Sequence, residues 1–95
     1  MLRKVLLKGY GDFMKFGIFS IKDDLNGFMN LFLEQNSDLA KRGFLHGMST
    51  ASTDSLYYSN PTDYALYELG FFDIESGKIE VLPTPNLVVR GEKRL

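Results

Sequence analysis

The alternation of apolar and polar residues in the first third of the chain predicts a β-hairpin. Residues 15–22 alternate and are rich in aromatic and β-branched side chains, which favours a strand. The Asn26-Gly27 pair that follows is typical of a tight turn, because glycine adopts positive φ angles without steric cost. Residues 28–33 are then predicted to return as the second strand.

The second strand has an alternative interpretation as a helix. Leu25, Phe28, Met29 and Phe32 also fit an apolar stripe with helical spacing. That helix would contain Gly27, and a glycine inside a helix costs about 1 kcal/mol relative to alanine. The hairpin is therefore the preferred prediction.

The next segment predicts a short helix over residues 37–47. Asn36 is a favourable N-cap, and Asp38 places negative charge in the first turn, where the helix dipole stabilises it. Gly47 is expected to end the helix. Residues 49–55 are mostly small and hydroxyl-bearing, which is typical of a loop.

Two further strands are predicted in the last third of the chain. Residues 64–73 form the third strand, and the following turn carries Gly77 at a left-handed position. Residues 78–82 form the fourth strand, which we expect Pro83 to end. Residues 86–90 extend weakly as an edge.

The resulting order is β-β-α-β-β, a small α+β domain with a mostly antiparallel four-stranded sheet and one short helix. We expect a single domain over residues 14–89, a basic extension at 1–13 and a basic tail at 90–95. Residues 14–89 carry five basic and ten acidic side chains, a balance of −5, whereas each end carries +2. An alternative for the extension is that residues 5–7 add an edge strand.

The predicted sheet carries apolar residues on both faces, which bears on assembly. Each face covers roughly 350 Å², and one three-turn helix covers under half of that area. We therefore expect a homo-oligomer, most simply a two-fold dimer. The predicted faces are Phe16, Ile18, Leu66 and Phe72 on one side and Phe19, Ile21, Tyr67, Leu69 and Phe71 on the other.

Composition argues against catalysis. The chain has no cysteine, and His46 is its only histidine, so neither a thiolate metal site nor a histidine cluster can form. No phosphate-binding glycine loop or nucleophile–base pair is evident. We expect no catalytic residue, metal or cofactor, and therefore a non-enzymatic protein. The apolar run near the start is too short for a secretory signal, so we expect no membrane partner and a cytosolic location.

Aromatic and basic residues together raise the possibility of nucleic-acid binding. Rings on an exposed sheet stack on unpaired bases, and cations contact phosphates. The alternative is that the same rings form the core and a dimer interface. The rings considered are Tyr57, Tyr58, Tyr64, Tyr67, Phe71 and Phe72. The candidate binding residues are Lys15, Lys22, Lys41, Arg42, Tyr57, Tyr58, Arg90, Lys93 and Arg94.

Residues 61–77 resemble a phrase found in the small non-structural protein of gokushoviruses, which are single-stranded DNA phages of the Microviridae. Asn60 departs from the family, which often has histidine there. Ala40, Arg42 and Phe44 are similar to the family's helix. The residues that match the phrase are Pro61, Asp63, Tyr64, Leu66, Tyr67, Glu68, Leu69, Gly70, Phe72, Asp73 and Gly77.

The resemblance implies a phage product made in the cytoplasm of the infected bacterium and absent from the mature virion. It also implies a role in viral single-stranded DNA synthesis and packaging. We expect an accessory protein that binds single-stranded DNA. The alternative is a protein–protein adaptor that contacts phage replication or capsid-assembly proteins without touching DNA.

Overall fold

A computed structural model describes residues 15–94, in which four strands form one antiparallel sheet of order β2-β1-β3-β4. This arrangement confirms the predicted α+β class, with one short helix of more than a single turn. The possible strand at residues 5–7 lies outside the described residues. The elements are β1 (Lys15–Asp23), β2 (Gly27–Glu34), α1 (Ser37–Ser49), α2 (Leu56–Ser59), a 3₁₀ turn (Pro61–Asp63), β3 (Tyr64–Asp73) and β4 (Ile79–Arg90).

Both hairpin turns are built in the same way. Asp23 and Asp73 each accept a hydrogen bond of 2.9 Å from the backbone N–H two residues ahead. Four residues after each aspartate stands a glycine with positive φ, 99° at Gly27 and 78° at Gly77. Only glycine adopts such angles freely, and residues 28–33 lie in the strand β2. The predicted hairpin is therefore confirmed, and the alternative helix is wrong.

The long helix begins as predicted and ends later. Asn36 caps α1, its Oδ1 accepting a hydrogen bond of 2.9 Å from the Leu39 N–H. The predicted end at Gly47 is wrong, because Met48 is buried in the core and holds the last turn in place. Thr50 then caps the helix, donating from both its N–H and its hydroxyl to the carbonyl of His46.

The connection from α1 to β3 contains two short turns of helix that the sequence did not predict. Ser55 accepts a hydrogen bond from the Tyr58 N–H and so caps the four-residue α2. Pro61 begins the 3₁₀ turn, where its fixed φ is already suitable. Neither turn is long enough to show a periodic apolar pattern.

The fourth strand also differs from the prediction. It does not end at Pro83 but continues through Pro85 to Arg90, which therefore belongs to the sheet rather than to a tail. In the ladder with β3, Val81 is opposite Gly70 and Asn86 is opposite Glu68, so residues 82–85 bulge out. An edge strand tolerates proline because its outer side has no ladder to complete.

The core lies on one face of the sheet, beneath α1. Phe19 and Leu66 from the two central strands are fully buried there. Tyr64 is almost as deeply buried, and burial together with the charge of Asp23 raises the pKa of its phenol. The buried cluster consists of Phe19, Ala40, Phe44, Met48, Tyr64 and Leu66.

The predicted assignment of faces is wrong for the first half of β3. Ile18 is opposite Gly70 and Phe19 is opposite Glu68, so the additional residue Leu69 forms a bulge. A bulge shifts the alternation of side chains by one position. Leu66 consequently joins the helix face, and Tyr67 moves to the other.

No described element covers the face opposite α1, which we call the bare face. On this face the two central strands carry both small residues, such as Ser20 and Gly70, and large ones, such as Tyr67 and Phe72, and the outer strands carry large apolar residues. The expectation that a single helix leaves apolar side chains uncovered is confirmed. Those that are substantially exposed on the bare face are Phe28, Leu31, Leu33, Ile79, Val81 and Leu87.

Candidate nucleic-acid interface

Two rings and one cation meet on the bare face, beside the first hairpin turn. The rings of Phe28 and Tyr67 lie edge to face, with centroids 5.4 Å apart and an interplanar angle of 77°. Lys22 places its Nζ 5.4 Å from the centroid of Phe28. We call these three residues the aromatic–lysine cluster.

Strand pairing brings the cluster together from three different strands. Lys22 of β1 is opposite Phe28 of β2, and Tyr67 of β3 is opposite Ser20. Ser20 is fully buried beside the cluster, and its hydroxyl donates to the Met29 carbonyl at 2.8 Å. Within the cluster, Phe28 is the exposed member, whereas Lys22 and Tyr67 are half-buried.

Charge is distributed unequally between the two faces. Register places the acidic residues of β2, β3 and β4 on the helix face: Glu34 opposite Gly17, Glu68 opposite Phe19 and Glu80 opposite Phe71. Asp23 and Asp73 follow the same alternation. An anion approaching the bare face thus meets the Lys22 ammonium group and is separated by the sheet from most of the negative charge.

Two of the predicted basic residues form ion pairs. Lys15 contacts Glu80 at 2.9 Å, which lowers the pKa of that carboxyl group. Arg90 contacts Asp24 at 2.9 Å and donates to the Thr62 carbonyl. All four ion-paired side chains are more than a third exposed, and such pairs contribute only about 0–1 kcal/mol.

The C-terminal basic residues lie at the end of α1, on a different surface. Arg94 stacks its guanidinium 4.3 Å from the centroid of Tyr58. It also donates hydrogen bonds to the carbonyls of Tyr58 and Met48. Arg94 thereby satisfies backbone acceptors, whereas the neighbouring Lys93 is exposed.

The remaining predicted residues lie apart from the cluster. Tyr57 packs its ring against Tyr64, with centroids 4.5 Å apart, and its hydroxyl donates to the Met29 sulfur. It therefore belongs to the edge of the core. Lys41 and Arg42 are exposed on α1, which lies on the side of the sheet opposite the cluster.

The sequence predicts Lys22 as a binding residue and includes Tyr67 among the rings that could stack on bases, but it assigns Tyr67 to the wrong face. It does not indicate Phe28 as a binding residue. A signal for Phe28 does exist. In the segment that runs from Lys22 through Asp23 to Gly27, the turn chemistry itself sets Phe28 opposite Lys22.

Residues 15–94 contain no group of three or more histidine or acidic side chains placed to hold a metal ion. Among the same residues, no helix is long and apolar enough to cross a membrane.

The fold and the cluster define a small α+β sheet protein with one face covered by α1 and a bare face that no described element covers. The model of the phage ORF5 protein family matches residues 16–94. The chain therefore belongs to the phage ORF5 protein family and is a phage protein. No curated protein and no solved structure matches it significantly.

Proposed function

We propose that this phage protein is a non-enzymatic accessory protein that binds single-stranded DNA on its bare face. The observation that carries the proposal is the aromatic–lysine cluster of Lys22, Phe28 and Tyr67. The resemblance of residues 61–77 supports a gokushovirus origin. It also supports action in the host bacterial cytoplasm, during viral single-stranded DNA synthesis and packaging, without incorporation into the mature virion.

Physical chemistry favours a single strand over a duplex at such a surface. Stacking of a base on an aromatic side chain contributes about 1–3 kcal/mol, and the faces of bases in a duplex are already stacked. Phe28 is 44% exposed and so retains ring surface for a base. With few cations nearby, we expect modest affinity, about micromolar, and a shallow dependence on salt.

Fluorescence anisotropy with a labelled oligothymidine and a matched duplex tests the proposal at low salt. The single strand should bind more tightly, and Phe28→Ala should weaken its binding by roughly 5- to 150-fold, the equivalent of one lost stack. Leu25→Ala is the matched control, because Leu25 is 83% exposed in the adjoining turn and away from the cluster.

The salt dependence gives a second measure of the same interface. Lys22→Gln should reduce the slope of log affinity against log salt by about 0.7, the value for one phosphate contact on a single strand. Lys78→Gln removes an exposed charge outside the cluster and should leave that slope nearly unchanged.

A double variant at Lys41 and Arg42 tests whether DNA binds on the α1 side of the protein or on the bare face. We expect Lys41→Glu with Arg42→Glu to weaken binding, but less than Phe28→Ala does, because both residues act only through long-range charge. If the double variant abolishes binding and Phe28→Ala does not, the interface is on α1 and the bare-face proposal is wrong.

An adaptor without DNA contact is the second candidate. It is favoured by the apolar end of the bare face, where a shallow depression of about 250 Å³ is lined by Ile18, Leu31, Leu33, Phe72 and Ile79. If no single-stranded oligonucleotide binds at low salt, the adaptor role replaces the first proposal. The partners to test are then the phage replication and capsid-assembly proteins.

A further inference from the structure

The two edges of the sheet differ in a way that bears on association. β4 carries Pro83, Pro85 and a four-residue bulge, all of which interrupt pairing with another strand. β2 has neither a proline nor a charged residue between Gly27 and Glu34. β2 has a smaller bulge at residues 29–30, but its register with β1 is regular from Leu31 to Glu34. Among the described residues, the part of β2 from Leu31 to Leu33 is therefore the edge without proline, charge or bulge.

The unprotected strand is also apolar on both of its sides. Every residue from 28 to 33 is exposed. Met29 and Phe32 lie on the helix side, where they contact Tyr57 and Phe19 respectively. On the bare face, Leu31 is 65% exposed. A long apolar edge of this kind is a template for another strand.

We propose that two copies of the chain pair through their β2 edges, in antiparallel orientation, to form a continuous eight-stranded sheet. The strand that pairs with the β2 edge is the β2 of a second copy, because the sequence of β2 is complementary to itself in antiparallel pairing. An isologous contact of this kind uses the same strand twice. Since the β4 edges are interrupted by proline, the assembly closes at two copies. The dimer does not depend on DNA binding.

The chemistry of β2 selects a register for this pairing. In an antiparallel pair, residues opposite each other have their side chains on the same face of the sheet. Two copies of one strand meet this condition only if the two-fold axis lies beside a residue that is opposite its own counterpart in the second copy. An axis at Phe32 sets Leu31 opposite Leu33 of the second copy, and Asn30 opposite its Glu34. This register pairs apolar with apolar side chains, gives the carboxylate an amide donor and keeps the two glutamates apart.

Edge pairing also leaves the bare faces of both copies open on the same side of the eight-stranded sheet. A face-to-face dimer would instead cover the aromatic–lysine cluster of each copy. The two geometries make different predictions for residues that share the bare face but lie on opposite edges of the sheet, and this difference provides the test.

Light scattering at tens of micromolar should give about twice the 10.8 kDa chain mass. Leu31→Lys on β2 should return the mass to that of one chain, whereas Val81→Lys on β4 should leave the dimer intact. Both positions lie on the bare face and are highly exposed, 65% and 78%. Loss of the dimer in both variants would show face-to-face packing and overturn the proposal.

Cysteine cross-linking tests the register and does not depend on the lysine variants. The chain contains no cysteine, and antiparallel neighbours about 4.5–5.5 Å apart at Cα are within disulfide reach. A mixture of Leu31→Cys and Leu33→Cys proteins should form a heterodimeric disulfide under mild oxidation. Val81→Cys protein should form none.

Two further results would contradict the proposal outright. One is a mass near that of a single chain for the parent protein at tens of micromolar, which would mean that β2 does not pair with a second copy. The other is cross-linking through Val81→Cys but not through the mixed β2 variants. DNA affinity enters neither measurement, so the dimer and the proposed function can fail separately.

Discussion

The two hairpins of the protein have the same turn but different outer strands. Each turn has the sequence Asp-x-x-x-Gly, with an aspartate that accepts backbone N–H groups and a glycine with positive φ. Beyond the turn, β2 is mostly apolar, with one extra residue at 29–30, whereas β4 contains two prolines and a four-residue bulge. A turn is thus determined by a few local residues, while the properties of an edge depend on the whole strand.

The two hairpin turns also differ in the contacts that they make with the rest of the molecule. Near the first turn, the Asp24 N–H donates to the Asp63 carbonyl, and Asp23 is largely buried beside Tyr64. The second turn, at residues 74–77, is exposed. The same local structure is therefore anchored at one end of the sheet and projects into solvent at the other.

The largest expected effect on stability comes from a comparison of an inner strand, β3, with an outer strand, β4. Leu66→Ala on β3 should lower the free energy of unfolding by about 2–5 kcal/mol, because its side chain is fully buried under α1. Leu87→Ala on β4 is the control and should cost less than about 1 kcal/mol, since half of that side chain is exposed. Urea denaturation measures both; equal losses would mean that the bare face is covered in solution.

The next effect tests whether the two turns are equivalent. Gly27→Val and Gly77→Val should each cost about 1 kcal/mol or more, because a β-branched residue is strained at positive φ. No heavy atom lies within 4 Å of a Cβ built at either site, so backbone strain is the only source. Ser76→Thr is the control, because it introduces a β-branched side chain but keeps the hydroxyl that accepts from the Lys78 N–H; it should leave the melting temperature close to that of the parent. Equal melting temperatures for Ser76→Thr and Gly77→Val would refute the assigned turn.

The smallest expected effect is on the stability of the protein at acidic pH. Backbone N–H donors lower the pKa of both Asp23 and Asp73 from the usual 3.8. The unfolded chain therefore binds protons more readily, and the stabilisation present above pH 3.8 is lost as pH falls through the folded pKa values. Asp23→Asn and Asp73→Asn should each flatten the fall in melting temperature below about pH 4.

The two aspartate variants should also differ from each other and from a control. The effect should be larger at Asp23, whose carboxylate also accepts from the Asn26 side chain and is largely buried. Glu92→Gln, at an exposed position beyond β4, should follow the parent's acid profile. An unchanged acid profile in both aspartate variants would show that these hydrogen bonds do not contribute to stability.

Much of the fold could be predicted because its signals are local. The Asp-x-x-x-Gly turns, the Asn36 cap and the bounds of the third strand each depend on a few adjacent residues whose backbone preferences agree. The α+β class and the β-β-α-β-β order along the chain follow from these elements, whereas the lateral order β2-β1-β3-β4 depends on pairing between strands distant in the chain. For the candidate site, the same local information was enough to identify Lys22 as a basic residue near the first turn.

For the first half of β3, the tertiary structure alone decided which face each side chain occupies. The bulge at Leu69 moves Tyr67 onto the bare face beside Phe28, and a burial contact at Met48 extends α1 past Gly47. Likewise, the edge position of β4 allows the strand to continue through Pro83. In each case the deciding contact is with residues distant in the chain, so no local pattern in the sequence contains it.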